Sequence, residues 1–210
     1  MIISHDRQKL FDQASEKNIF YPDQIFLLES SRLYPLEIDA HRTFKNGVNV
    51  RFRPIKSSDE EQMRRLFYRF SDESIYYRYF HSVSIMPHSK MQEYVNVNWK
   101  NTMSIVGLVG EPGQGIIIAE ARYLVDASRK AAEIAIIVDE KYNGLGIATY
   151  MITLLKRIGI KRGVNIFVAE ILSSNRAMMM VFRKVFPNLE SVYQEGGSYS
   201  LVMPLSDAHY

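Results

Sequence analysis

Two adjoining stretches of the 210-residue chain carry residue types at spacings that can do chemistry. The first is Val138-Asp139-Glu140-Lys141-Tyr142-Asn143-Gly144-Leu145-Gly146-Ile147-Ala148, which joins an apolar run to the start of a helical pattern. A helix start has N–H groups without intrahelical partners and a partial positive charge, and glycines let the backbone turn tightly and approach a ligand. Together these make an anion site whose usual occupant is phosphate. A Walker loop is excluded, because no Gly-Lys-Ser/Thr follows the glycines. A dinucleotide fingerprint is half matched: Gly144-Leu145-Gly146 fits, Glu170 is spaced for a ribose contact, but Thr149 stands at the third glycine position. A tight strand-to-helix turn that binds nothing is the remaining reading of the loop.

The second stretch is Ala131-Ala132-Glu133-Ile134-Ala135-Ile136-Ile137-Val138, a nearly continuous apolar run interrupted by one acid. Burial raises a carboxyl pKa, so Glu133 is a candidate general base. The competing reading is structural: a symmetric turn before this strand sets Arg122 across from Glu133 as a cross-strand ion pair. Glu120, in Ala119-Glu120-Ala121-Arg122, is the reserve acid.

The elements that must position these residues follow from periodicity. Val48, Val50 and Phe52 alternate with polar residues as a half-buried strand does. Ser58 and Glu61 form an expected capping box, and Met63, Leu66, Phe67 and Phe70 share one helical face. Short helices are expected over Asp72 to Phe80 and Ser89 to Val95. Met103 to Val109, Ile116 to Leu124 and Ala131 to Val138 read as strands, joined by turns at Pro112-Gly113 and Asp126 to Lys130 short enough for antiparallel hairpins. Gly144 to Ile160 predicts a helix burying Ile147, Met151, Leu154, Leu155 and Ile158. Asn165 to Ile171 predicts a strand and Asn175 to Val185 a helix capped by Ser173 or Ser174. Glu190 to Gln194 and Tyr199 to Met203 predict a hairpin through Gly196-Gly197. The crossover from Ala131 to Ile171 requires one parallel pair, so the fold class is a mixed α/β layer with a mostly antiparallel sheet.

Residues 1–46 read as an N-terminal arm, with a short helix after Ser4 and extended chain around Tyr21-Pro22 and Tyr34-Pro35, and residues 47–210 as the main domain. A hydrophobic fraction of 47% with 23% charged residues is globular composition. The formal charge of +3 is no nucleic-acid footprint. No apolar run approaches the ~20 residues of a membrane helix, and no signal peptide is visible. There is no cysteine, and His5, His41, His81, His88 and His209 are scattered, so no metal is expected. A soluble cytoplasmic protein is the expectation.

Asn143-Gly144-Leu145-Gly146-Ile147-Ala148 resembles the R/Q-x-x-G-x-G/A segment of the GNAT superfamily of N-acetyltransferases, and Leu172-Ser173-Ser174-Asn175-Arg176-Ala177-Met178 resembles that family's asparagine-bearing helix start. The resemblance covers about Val48 to Pro204. A narrower one, from Arg51-Phe52-Arg53-Pro54-Ile55, Asp59-Glu60 and Ser71-Asp72-Glu73-Ser74-Ile75-Tyr76-Tyr77-Arg78-Tyr79-Phe80, is to the Pat-type protein lysine acetyltransferases. Their acyltransferase domain often ends a larger chain, which implies that this sequence is a piece of such a protein.

The resemblance implies acetyl-CoA (coenzyme A) as acyl donor and a primary amine, a protein lysine first, as acceptor. Its implied cofactor contacts are Ile136, Val138, Asn143, Gly144, Leu145, Gly146, Ile147, Ala148, Thr149 and Asn175. Its implied general base is Glu133, which lies in the Ala-Glu-x-Ala context of Pat-type enzymes. Such a base is needed because a lysine near its free pKa of ~10.4 is almost wholly protonated at neutral pH and cannot attack. Three positions depart from the family: Asn143 stands for Arg or Gln, Phe182 for the tyrosine that protonates the leaving thiolate, and Phe186-Pro187 for Gly-Phe. Those departures keep open a non-catalytic acyl-CoA sensor, and the glycine pattern keeps open a dinucleotide domain. In the Ser71 to Phe80 segment, Tyr77 and Phe80 are expected to pack on the first helix; Tyr76, Arg78 and His81 are left open.

Overall fold

A computed structural model of the protein describes residues 34–35, 38–111, 115–126 and 131–205. The expected helix after Ser4, Tyr21-Pro22, the Pro112-Gly113 turn and most of the Asp126 to Lys130 turn lie outside the described residues.

Alternation builds the first strands. In β2 (Asn49–Pro54) Val50 and Phe52 are buried while Asn49 is exposed, and β1 (Ala40–Thr43) pairs antiparallel along its edge. A 3-10 turn at Ser57–Asp59 leads into α1 (Glu60–Phe67), whose buried face is Met63, Leu66 and Phe67. The expected Ser58–Glu61 capping box is not formed. Asp59 caps the corner instead, accepting from the Lys56 N–H at 2.7 Å and gripping Arg53 through two bonds of 2.7 Å. That carboxylate is almost fully buried, and the bidentate fork compensates its charge.

α2 (Asp72–Tyr79) is capped by Ser71, which accepts from the Ser74 N–H, and ends because Phe80 turns left-handed (φ 62°). Ile75 is its buried residue; the packing expected of Tyr77 and Phe80 falls to Ile75 and Tyr79, and Tyr77 spends its hydroxyl on Glu73 at 2.7 Å. α3 (His88–Val95) follows, then the strands β3 (Thr102–Val109), β4 (Ile116–Asp126) and β5 (Ala131–Val138). α4 (Ile147–Lys161) buries Ile152 and Gly159 as well as four of its expected residues, Leu154 being only half-buried. β6 (Ile166–Leu172), α5 (Arg176–Val185), β7 (Glu190–Gln194) and β8 (Ser198–Pro204) complete the chain. The cap of α5 is Asn175, not Ser173 or Ser174.

Among the described residues the sheet has eight strands in the order β1-β2-β3-β4-β5-β6-β8-β7, and every pair is antiparallel except β5–β6. The mixed, mostly antiparallel class expected from the sequence is the class found. Helices α1 to α3 cover one face, around Leu66, Met91, Val106 and Ile117. Helices α4 and α5 cover the other, around Phe52, Tyr123, Met151, Phe167 and Phe182. A bulge where Gly107 faces Ala119 and Leu108 faces Ile117 leaves Ile118 as the extra residue of β4, so the adjacent Ile118 and Ala119 serve the same face while Ile117 serves the other. α4 lies close on β6 because residue 159 is glycine: a Cβ there would stand 2.9 Å from the Phe167 ring. No helix among the described residues is long and apolar enough to cross a membrane.

Candidate active site

The parallel pair carries the site. β5 and β6 are in register only at Ala131–Ile166, Ala132–Phe167 and Glu133–Val168, although β5 runs on to Val138 and β6 to Leu172. Past Glu133 the two strands separate, so the edges around Ile134 to Val138 and Ala169 to Leu172 border a notch that opens toward the start of α4. Ile136 and Val138 lie on that diverging stretch.

The loop above the notch is pinned from outside. Asp139, almost fully buried, accepts from Lys141 N–H at 3.1 Å and from Arg69 Nε at 2.7 Å, while Arg69 also reaches the Ile117 carbonyl at 2.5 Å. Glu140 accepts from the Ser71 N–H at 2.9 Å and its hydroxyl at 2.6 Å, and those hydrogen bonds hold its carboxyl below the usual range. These contacts span some 70 residues of sequence, so no local pattern announces them. They rigidify the approach to α4 from β4, α1 and α2.

Gly144 and Gly146 then take φ of 75° and 93°, values that L side chains rarely adopt. A Cβ at either position would meet nothing within 4 Å, so both face open space. Gly146 is the N-cap of α4 and makes no side-chain cap. Among the described residues no acceptor is found for the amides of Gly144, Leu145, Gly146, Ile147, Ala148 or Thr149; the first amide of the helix to be satisfied is Tyr150, on the Gly146 carbonyl at 3.0 Å. Ile147 is buried beneath and anchors the turn, and Asn143 is exposed at its entry. Six donors at a helix start, backed by its dipole, fit a pyrophosphate.

Glu133 is half-buried at the apex of the notch. Its β4 neighbour is Leu124, because the hairpin register sets Arg122 opposite Ala135. Among the described residues the Arg122–Glu133 ion pair of the competing reading does not form. Arg122 turns to Glu120 on its own strand, Nε to Oε1 at 2.6 Å. Glu120 is fully buried, and it also accepts from Ser104 Oγ at 2.6 Å and Tyr94 Oη at 2.7 Å. The Arg122 guanidinium lies 3.4 Å from the Tyr94 ring centre, and Arg78 Nη2 donates to Tyr94 Oη at 3.2 Å. The reserve acid is therefore tied into a buried network joining α2, α3, β3 and β4, with both oxygens engaged.

Asn175 spends its Oδ1 on the Met178 N–H at 3.1 Å, as the cap of α5. Phe182 is buried against Phe186, so the position of the family tyrosine belongs to the core. Glu170 lies inside β6 rather than at its end, and the Ser198 hydroxyl donates to it at 2.7 Å. With the five residues that separate Val138 from Gly144, that placement removes the dinucleotide geometry. Among the described residues no group of three or more acidic or histidine side chains is arranged to hold a metal ion.

A family model described as acetyltransferase (GNAT) domain matches residues 49–185. The chain is 23% identical over 133 residues to Acetyltransferase PA5475 of Pseudomonas aeruginosa, covering 63% of this chain and 72% of that protein. It is 29% identical over 150 residues to Acetyltransferase Pat of Mycolicibacterium smegmatis, covering 71% of this chain and 43% of that protein, so it spans less than half of that relative's length. The crystal structure of the GNAT domain of S. lividans PAT superposes with a TM-score of 0.73 at 25% identity, over 82% of this chain and 99% of that one. The family match extends over more than half of the chain, which therefore belongs to the acetyltransferase (GNAT) family and is an acyl-CoA-dependent N-acetyltransferase.

Proposed function

We propose that the protein moves an acetyl group from acetyl-CoA to a primary amine, with a protein lysine as the preferred acceptor and Glu133 as general base. The observation that carries this reading is the row of unpartnered amides from Gly144 to Thr149 opening beside the divergence of β5 and β6. Those amides and the Asn175 Nδ2 hold the donor, with Ile136 and Val138 along its path. Acetyl-CoA supplies an already activated thioester, so no protein nucleophile is required. Glu133 sits where the strands part, on the face away from α4, and takes the proton that keeps an ammonium from attacking. The leaving sulfur is protonated from the amine or solvent, since Phe182 has no proton to give. The lysine assignment rests on the Pat-type character of Ser71 to Phe80 and on the relation to Pat. We assign the reaction to the cytoplasm, the location expected from the sequence.

The test is turnover of acetyl-CoA with a panel of lysine peptides, wild type against Glu133→Gln. Loss of a positioned base lowers kcat by about 10²–10⁴-fold. Equal rates in the two proteins would remove Glu133 from the mechanism.

A further inference from the structure

A second carboxylate stands on the other lip of the notch. Glu133 and Val168 are the last paired residues of β5 and β6, and Glu170 lies two positions on, so period two turns it to the same face as Val168 and Glu133. The clusters fix which face this is. Phe167, Ala169 and Ile171 pack under α4 and α5, whereas Ala131, Ile166 and Val168 form a patch on the opposite side. Strand spacings put the Glu133 and Glu170 backbones about 8 Å apart before any divergence is added. That is room for one amine between two carboxyl groups.

Glu170 is oriented for such a role. It is half-buried, and Oε1 is held at 2.7 Å by the hydroxyl of the nearly buried Ser198, while its directly paired neighbour on β8 is the nearly buried Ser200. Oε2 has no partner among the described residues. An acid with one oxygen fixed and one unengaged, on the lip facing a general base, is suited to a cation.

Building on the proposed function, we propose that Glu170 binds the acceptor ammonium through Oε2, making the protein selective for cationic amines. The nitrogen gives its first proton to Glu133. The C–N bond then forms as the C–S bond breaks, and the second amine proton passes to the sulfur, so free thiol and neutral amide are the products. Glu170 keeps its own charge throughout. Its contribution therefore appears in capture of the acceptor rather than in the chemical step.

Steady-state kinetics with acetyl-CoA and a lysine peptide, for wild type, Glu170→Gln and Ser198→Ala, test this together with calorimetric titration of acetyl-CoA. Glu170→Gln should raise the peptide KM about tenfold or more and change kcat less than about threefold, as loss of one charge-assisted hydrogen bond does. Acetyl-CoA affinity should stay at the wild-type value, and Ser198→Ala should raise KM by about two- to threefold. An unchanged peptide KM in Glu170→Gln, with wild type active, overturns this inference and leaves the acyltransferase reading standing. So does a parallel loss of acetyl-CoA affinity, which would put Glu170 on the donor side. A wild type that binds acetyl-CoA but acetylates no amine overturns both.

Discussion

Tyr123 shows how a single side chain can act against its own surroundings. It is 1% exposed and its hydroxyl makes no hydrogen bond of full geometry among the described residues, the Arg162 guanidinium being its polar neighbour. Burial pushes the phenol up to about 12, and the Arg162 guanidinium offsets only part of that. The folded value exceeds the unfolded one of ~10, so the stability from this group is complete below about pH 10 and is lost as pH rises through 12. The two-unit difference is worth up to ~3 kcal/mol. Tyr123→Phe keeps the ring and drops the hydroxyl. Urea unfolding at pH 7 should find it within ~1 kcal/mol of wild type or more stable, with a shallower loss of stability above pH 10. A large loss at pH 7 would mean that the hydroxyl has a structural partner. Asn175 carries the opposite lesson: its side-chain carbonyl finds a partner close by, in the Met178 N–H at the start of α5.

At the scale of elements, the decisive feature is how α2 and α3 are bolted to the sheet. Glu120 on β4 balances Arg122 and faces Tyr94 of α3, which in turn takes Arg78 of α2. Burial and the nearby Glu120 charge push the Tyr94 phenol up, so it stays neutral and cannot replace the carboxylate as counter-ion. Glu120→Gln leaves buried cations without compensation, a change that costs about 3–5 kcal/mol. A fall of that size in unfolding free energy, with kcat of the folded fraction within about tenfold of wild type, is the expected result. Full stability with abolished turnover would instead make Glu120 the base. The same network accounts for the absence of the alternative Arg122–Glu133 pair. A symmetric turn would set Arg122 across from Glu133, but the register adopted sets Leu124 there and Ala135 opposite Arg122, which pairs instead with Glu120 two residues before it on its own strand.

For the molecule as a whole, ligand linkage is the direct check on the donor site. Acetyl-CoA at 100 times its Kd should stabilise the fold by ~2.7 kcal/mol, raising Tm by about 5–10 °C for a domain of this size, while NAD leaves Tm unmoved. Stabilisation by NAD alone would contradict the pyrophosphate geometry assigned to the Gly144 to Thr149 amides. Strand alternation, helix faces, the parallel crossover and the glycine-bearing helix start were all readable in order along the chain, because each depends on residues a few positions apart. Glu133 was conspicuous for the same reason, an acid in an apolar run. What linear order could not convey was contact between distant segments: the clamp of Arg69 on Asp139, the hold of Ser71 on Glu140, and the tie of Tyr94 to Glu120. The notch itself belongs to that second class. Where two parallel strands stop pairing depends on the helices and hairpins packed on either side, so the placing of Glu133 and Glu170 on the two lips of the gap is a property of the folded sheet alone.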